Sequence, residues 1–247
     1  MINTFFSAIK YFTRLPIPSS WCNYSPEVMR RVLLFLPFIG VLVGLTTYFA
    51  FFLSIQLFNQ SIASVIAILA TVFFTGAFHH DGLADVADGF GGGWTKDQVL
   101  RIMKDSSSGV YAVVAICIAM LLQYSLLSTF RLDKILLAVV SSAIISRIFP
   151  VVTAFYGVYA RTDNSSRAAD IAKKISLGEL LMSLLPVVGL LFINWQLLYA
   201  VVVCFIAWLF LFLYFKKRIG GYTGDCLGAI QQITEIVSLL TLFALWQ

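Results

Sequence analysis

Charge is scarce in this chain. Of its 247 residues, 12% are Asp, Glu, Lys or Arg, about half the share of a soluble globular domain. Sixty per cent are hydrophobic and the mean hydropathy is +0.91. That balance excludes an ordinary soluble enzyme and leaves no polar stretch large enough for a second domain. Cysteine is sparse too. Cys117 and Cys204 fall in apolar runs, and Cys22 and Cys226 stand alone. No metal or redox spacing results, and four free thiols are expected. The first fourteen residues have neither a long apolar core nor a small-residue cleavage site, so no cleavable signal is expected. Internal repeats and low-complexity segments are also lacking. The pI of about 9.1 calls for no nucleic acid, because basic residues beside membrane spans set orientation.

What the chain has instead is apolar runs long enough to cross hydrocarbon. The expected fold is all-α: a polytopic membrane helix bundle, one domain over residues 1–247. About seven spans are placed at roughly 32–58, 61–78, 110–130, 135–156, 177–193, 197–215 and 225–246. Residues 1–31 form an interfacial segment. Phe5, Phe6, Ile9 and Phe12 around Lys10 and Arg14 predict a short amphipathic helix, ended by Leu15-Pro16-Ile17-Pro18. Pro37, Gly40 and Gly44 suggest a kinked or tilted first span. Only Asn59-Gln60 joins the first two spans, which implies a hairpin. With the N-terminus inside, fourteen Lys and Arg residues face the cytoplasm against Arg131 and Lys134 outside. The C-terminus is then external and the acidic stretch internal.

The polar segment 79–109 holds five of the chain's twelve acidic residues. Asp81, Asp85 and Asp88 at i, i+4 and i+7 share one helix face. Stacked carboxylates repel and favour a cation; hard oxygen donors suit Mg²⁺ with water and substrate phosphate. The alternative is a solvated acidic face. Gly89-Phe90-Gly91-Gly92-Gly93 reads as a flexible turn that a helix would not continue through. Thr95 and Gln98 form a capping box for a short interfacial helix. Asp105, beside Lys104 and Ser106, is a further ligand or a cap for the third span. His79 and His80 titrate near neutral pH when unperturbed, and either has a catalytic or a structural role.

Two further features carry chemistry. Arg147 lies within a span, where it clamps a phosphate or closes an internal ion pair. Gly220-Gly221-Tyr222-Thr223-Gly224-Asp225 precedes a face carrying Asp225, Gly228, Gln232 and Glu235. The glycines can present N–H groups to an anion; Asp225 is a ligand or a helix cap. Together these predict Mg²⁺-assisted transfer of a phosphorylated group at one membrane face. Against this stand a CDP-alcohol phosphotransferase, which would need Arg where Asp85 stands, a prenyltransferase, which would need a second Asp-rich motif, and a transporter using Arg147 and Glu235 as its ion path.

At these residues the chain resembles the cobalamin-5′-phosphate synthases, also called adenosylcobinamide-GDP ribazoletransferases. The motifs are FTRLPIP at 12–18, LPFIGVLVG at 36–44, GAFHHDGLADVADG at 76–89, MKDS at 103–106, SR at 146–147 and GGYTGDCLGA at 220–229. Two positions depart from the pattern: Ser107 stands where Arg is expected, and Ala112 where Gly is. The resemblance implies transfer of adenosylcobinamide phosphate from its GDP ester to α-ribazole or α-ribazole 5′-phosphate, with release of GMP. On this reading Asp81, Asp85, Asp88 and Asp225 bind Mg²⁺, and His80, Arg147 and Asp105 are catalytic. Arg14, His79, Lys104, Ser106, Gly221, Thr223, Gly224, Gln232 and Glu235 bind substrate. The implied partners are these small molecules and the lipid bilayer, with no nucleic acid; a homo-oligomer is compatible.

Overall fold

The computed structural model describes residues 1–161 and 175–247. Among them every regular element is helical apart from one isolated parallel bridge, Tyr159 to Tyr222. Helix α1 (Ile2–Phe12) buries Ala8, Ile9 and Phe12, with Phe5 against Phe35 at 5.6 Å. Helix α2 (Pro26–Val32) starts at Ser25, whose side chain accepts from the Val28 N–H, with proline in the first turn. It continues through one 3₁₀ turn into α3 (Leu36–Ile55), a helical run of 30 residues.

The proline of the span expected to be kinked or tilted follows directly on the 3₁₀ turn Leu33–Phe35. Pro37 lies in the first turn of α3, where a missing N–H costs nothing. Gly40 and Gly44 instead allow contact with α8 (Leu132–Tyr156): a Cβ at Gly40 would sit 2.5 Å from the Ala143 carbonyl, and one at Gly44 2.6 Å from Val140 Cα. Asn59 caps α4 (Gln60–Thr75). Gly76 (φ 62°) and Ala77 (φ 58°) are both left-handed, and the chain turns by 90° into α5 (Phe78–Gly92). Alanine adopts that conformation only with backbone strain.

Helix α5 continues through Gly89, Gly91 and Gly92, against expectation. Its glycines are contact surfaces: a Cβ at Gly89 would collide with Met103 Cγ, and one at Gly91 would meet the Tyr111 ring at 2.6 Å. Tertiary approach outweighs the entropic cost of helical glycine. The capping box of α6 (Lys96–Ile102) is as expected, with Thr95 and Gln98 bonded reciprocally. Then follow α7 (Val110–Thr129), α8, α9 (Leu177–Ile193), α10 (Leu197–Ile219) and α11 (Gly224–Trp246).

Five helical runs are long and apolar enough to cross a membrane, six if α4 and α5 count as one bent span. Of the seven expected spans, those at α4 and α9 are 16 and 17 residues long, short of the ~20 that hydrocarbon requires. Both still run between the same two ends as the others. At one end Gln60 donates to the Leu127 and Phe130 carbonyls, and Trp246 donates to Gln196. At the opposite end Phe74 accepts from the Arg14 N–H, and Glu179 pairs with Arg30 and Arg31. Helix α5 leaves α4 at 90° at that second end. α8 and α11 form the buried centre; α7 and α10 present Val113, Ile118, Leu121, Ile206 and Phe210 outward. Such a surface would aggregate in water and suits lipid. This is a multi-pass membrane protein. All four cysteines are free thiols.

Candidate active site

Helix α5 crosses the first turns of α11 where both are reduced to glycine. A Cβ on Gly82 would lie 2.8 Å from the Asp225 carbonyl and 3.1 Å from Gly228 Cα. The crossing draws Asp225 to the acidic face of α5. Asp85 is half-buried and has Asp225, Asp81 and Asp88 as like-charged neighbours. Burial first, then Asp225 and Asp81, push its carboxyl up to about 7. Asp81 is exposed. Asp225 pairs with Arg161 at 2.9 Å, and Thr223, the cap of α11, also donates to it at 3.3 Å. The helix cap is therefore Thr223, and Asp225 projects toward the carboxylates. In the sequence Arg161 is visible only as a charge; nothing local marks it as Asp225's partner.

Asp88 departs from the expected ligand role. Its two oxygens accept from the Gly109 and Ala112 N–H groups at 2.5 and 2.9 Å. It is the missing N-terminal cap of α7, and the side chain is buried. The Ala112 methyl fits there, since Ala112 is also buried. Asp88→Ala is expected to destabilise the protein by about 2 kcal/mol, the scale of a lost cap plus a buried orphan N–H. Asp88→Asn, which keeps one acceptor, should lose less. Thermal unfolding in detergent micelles measures both, and equal stability of wild type and Asp88→Ala would refute the cap assignment.

Asp105 is not drawn into the carboxylate group. It is exposed, and its Oδ1 accepts from the Ser107 N–H (3.0 Å) and hydroxyl (2.6 Å), which hold its carboxyl below the usual range. Ser107 thus folds this loop. Ser106 is exposed beside it. Lys104 lines a basic cavity with Lys96, Arg101 and Arg161, so Arg161 joins that cavity to Asp225.

Arg147 departs from the expected phosphate clamp. It is 1% exposed and donates to the Ala143 carbonyl at 2.8 Å and to Glu235 at 3.1 Å. Gln231 also donates to Glu235 and, at 3.1 Å, to Ser146; Gln232 donates to Gln231 at 2.8 Å. Arg147, Glu235 and Gln232 therefore belong to one interior network, not to an open substrate surface. His79 and His80 are buried, and neither His79 Nδ1 nor either His80 ring nitrogen has a partner. Burial chiefly holds both imidazoles below their ordinary range; Arg147 adds to this, while Glu235 partly offsets it at His80. Both are neutral near pH 7.

The glycine turn does not offer the expected row of free amides. The Gly220 N–H donates to Lys216, and Gly220 (φ 80°) ends α10. A Cβ on Gly221 would collide with the Val158 carbonyl, so Gly221 admits the bridge in which Tyr222 bonds Val158 and Ala160. Gly224 opens α11 beside Asp225. Arg14 is exposed, and its guanidinium lies against Gly76.

Among the described residues no three His, Cys, Asp or Glu side chains converge to hold a metal unaided. The donor set still fits Mg²⁺. Asp81, Asp85 and Asp225 are hard oxygen donors that repel one another, and Mg²⁺ is commonly held by one or two carboxylates together with phosphate oxygens and water. The fit is to a cation shared with a phosphorylated substrate, not to a closed protein cage.

Comparison with known proteins shows the family. A family model described as cobalamin-5-phosphate synthase matches residues 4–243. A protein of Shewanella frigidimarina named adenosylcobinamide-GDP ribazoletransferase is 39% identical over 250 residues, covering 98% of this chain and 95% of its own. Its namesake in Shewanella amazonensis is 39% identical, covering 99% and 96%. The one in Shewanella piezotolerans is 37% identical, covering 98% and 95%. No solved structure matches.

Proposed function

The chain belongs to the cobalamin-5-phosphate synthase family, and from that membership we propose that it transfers adenosylcobinamide phosphate from adenosylcobinamide-GDP to α-ribazole or α-ribazole 5′-phosphate, releasing GMP. The observation that carries the reading is the meeting of Asp81, Asp85 and Asp225 with Arg161 and a basic cavity at one end of a membrane bundle. An anionic diphosphate and a cation are what such a constellation accommodates.

In the reaction, a hydroxyl of the acceptor forms a bond to the phosphorus attached to the cobinamide side chain. The bond from that phosphorus to the bridging oxygen breaks, and GMP leaves with the electron pair. His80, neutral and with unpartnered ring nitrogens, accepts the hydroxyl proton. Arg161, Lys96, Arg101 and Lys104 orient the pyrophosphate and offset the charge that develops on the GMP oxygens. Asp81, Asp85 and Asp225 would hold Mg²⁺, which when bound supplies further neutralisation of the pyrophosphate. Asp88 fixes α5 to α7 and so keeps the acidic face in place. Arg147 and Glu235 position the floor beneath His80.

Purified protein given adenosylcobinamide-GDP, α-ribazole and Mg²⁺ should release GMP, and omission of the acceptor or chelation of the metal should stop it. Release of GMP without acceptor, or none with the full mixture, would defeat this function.

The active site is assigned to the cytoplasmic face. Arg14, Arg30, Arg31, Lys96, Arg101, Lys104, Arg161 and Lys216 to Arg218 lie at or beside the site's end of the bundle, while Arg131 and Lys134 precede or open α8 at the other. Arg167, Lys173 and Lys174, also among the fourteen basic residues expected inside, lie outside the described residues. A reporter fused after Gln247 should behave as periplasmic; cytoplasmic behaviour would invert the orientation.

A further inference from the structure

We infer that Arg218 is a positioning residue for the basic cavity: by clasping the Gly93 carbonyl it sets α6, and with it Lys96, Arg101 and Lys104, against the carboxylates of α5. The inference rests on the reading of that cavity as the site of the diphosphate.

The cavity takes most of its charge from one short element. Lys96, Arg101 and Lys104 line it from α6 and the turn after it; among the described residues Arg161 is the one basic side chain it takes from elsewhere. Helix α6 is seven residues long, too short to be stable by itself in water. Its place is set by what it packs on. Val99 and Met103 are buried against the glycines of α5, and a Cβ on Gly93 would lie 2.7 Å from the Val99 nitrogen. Gly93 is also the joint between α5 and α6. Its N–H donates to the Gly89 carbonyl at 2.9 Å, and its own carbonyl accepts from Arg218 Nη2 at 2.7 Å.

The rest of the guanidinium is fixed with equal care. Nη1 donates to the Tyr214 hydroxyl at 2.8 Å. The guanidinium carbon lies 5.6 Å from the ring centroids of both Phe90 and Tyr214, and Phe90 packs on Tyr214 and Phe215 at 5.3 and 5.1 Å. One planar cation thus joins the end of α5, the joint at Gly93 and the last turns of α10. A flat face and a fork of donors are properties of Arg that Lys does not share. Both hydrogen-bond partners are neutral, so Arg218 balances no carboxylate there. It does not line the cavity either; whatever it does for the cavity it does through α6. Two residues on, a Cβ at Gly220 would lie 3.6 Å from Lys96 Nζ, so the end of α10 meets α6 at a second point.

The test separates placement from charge. Inorganic pyrophosphate is titrated with Mg²⁺ into the purified protein in micelles by calorimetry. Arg218→Lys keeps the charge and loses the fork, and its Kd for pyrophosphate should rise about tenfold or more, because small displacements of positioned groups are costly. Lys217→Gln removes a charge at an exposed neighbour and should stay within about twofold of wild type, the scale of a solvated surface charge. KM for adenosylcobinamide-GDP should follow the pyrophosphate Kd, while KM for α-ribazole stays within about twofold in both variants. Should Arg218→Lys fail to fold, Tyr214→Phe, which removes one anchor of the guanidinium and keeps the ring, should weaken pyrophosphate about threefold. Wild-type affinity in folded Arg218→Lys, or in Tyr214→Phe where that variant takes its place, would overturn the inference. So would an equal loss in Lys217→Gln, which would make Arg218 one more charge in the field. Wild-type protein that binds no pyrophosphate would overturn the inference together with the diphosphate site. If the variants behave as expected but the wild type releases no GMP, the placing of α6 by Arg218 stands and the reaction falls.

Discussion

Asp225→Asn should lower transfer by about a hundredfold or more, the scale reached when one group that manages transition-state charge is removed. The substitution keeps the shape of the side chain and can keep an acceptor for Thr223. What it removes is one negative charge, and that charge has two partners of opposite kinds. Arg161 loses its 2.9 Å ion pair. Asp85 loses the first of its like-charged neighbours. If Mg²⁺ is shared among the three carboxylates, the concentration needed for half-maximal rate should rise as kcat falls. Asp85→Asn should do the same. The double variant should cost less than the two losses combined, because groups that act as a unit fail only once. Asp81→Ala, at the exposed rim, should join the same group. Strictly additive losses for Asp85 and Asp225, with unchanged metal dependence, would separate α5 from α11 chemically and defeat the shared site.

The second large effect concerns stability. Arg147→Met should cost about 3–5 kcal/mol, because it strands a carboxylate in the interior of the bundle. Glu235 is 12% exposed by side chain and has Arg147 as its ion-pair partner; Gln231 and Ser146 donate to it but bring no charge. Adding Glu235→Gln to Arg147→Met removes the stranded charge and should recover most of the loss, since an apolar and neutral pair of similar volume is well tolerated where an ion pair is buried. Thermal unfolding in micelles, compared across the two single variants and the double, reads this directly. A single Arg147→Met variant as stable as wild type would show that the pair carries no structural weight.

These two sites differ in how far they can be read from sequence. The i, i+4, i+7 spacing of Asp81, Asp85 and Asp88 is local, so their shared face follows from helix geometry. The amphipathic pattern of α1, the capping box at Thr95 and the apolar runs are local as well, and each appears where periodicity puts it. The pairing of Arg147 with Glu235 joins residues 88 positions apart. Asp88 finds its partners 21 and 24 residues on. No local rule identifies such partners, so a clamp and a pair, or a ligand and a cap, look alike in sequence. The run from Gly89 to Gly93 misleads for a related reason. Glycine weakens a helix intrinsically, yet here it is what lets Met103 and Tyr111 close on α5. Arg161 is the instructive omission: beside a span it counts as an orienting charge, and only the fold shows it against Asp225.

The tether at the N-terminus has a consequence for how the protein is made. The Arg14 N–H donates to the Phe74 carbonyl at 2.7 Å, Phe12 rests on Phe78 and His79, and the Arg14 side chain lies over Gly76. Every one of these docking partners is translated after α1. Helix α1 thus lacks this part of its berth until α3 and α4 have entered the membrane and the left-handed pair Gly76–Ala77 has turned the chain back across the bundle. Until then Phe12 can rest at the lipid surface, where an amphipathic helix is stable, while Phe5 and Phe6 already have Phe35 and Trp21. Made before the helices it docks on, α1 is fully seated only after them, and its seating brings Phe12 onto His79.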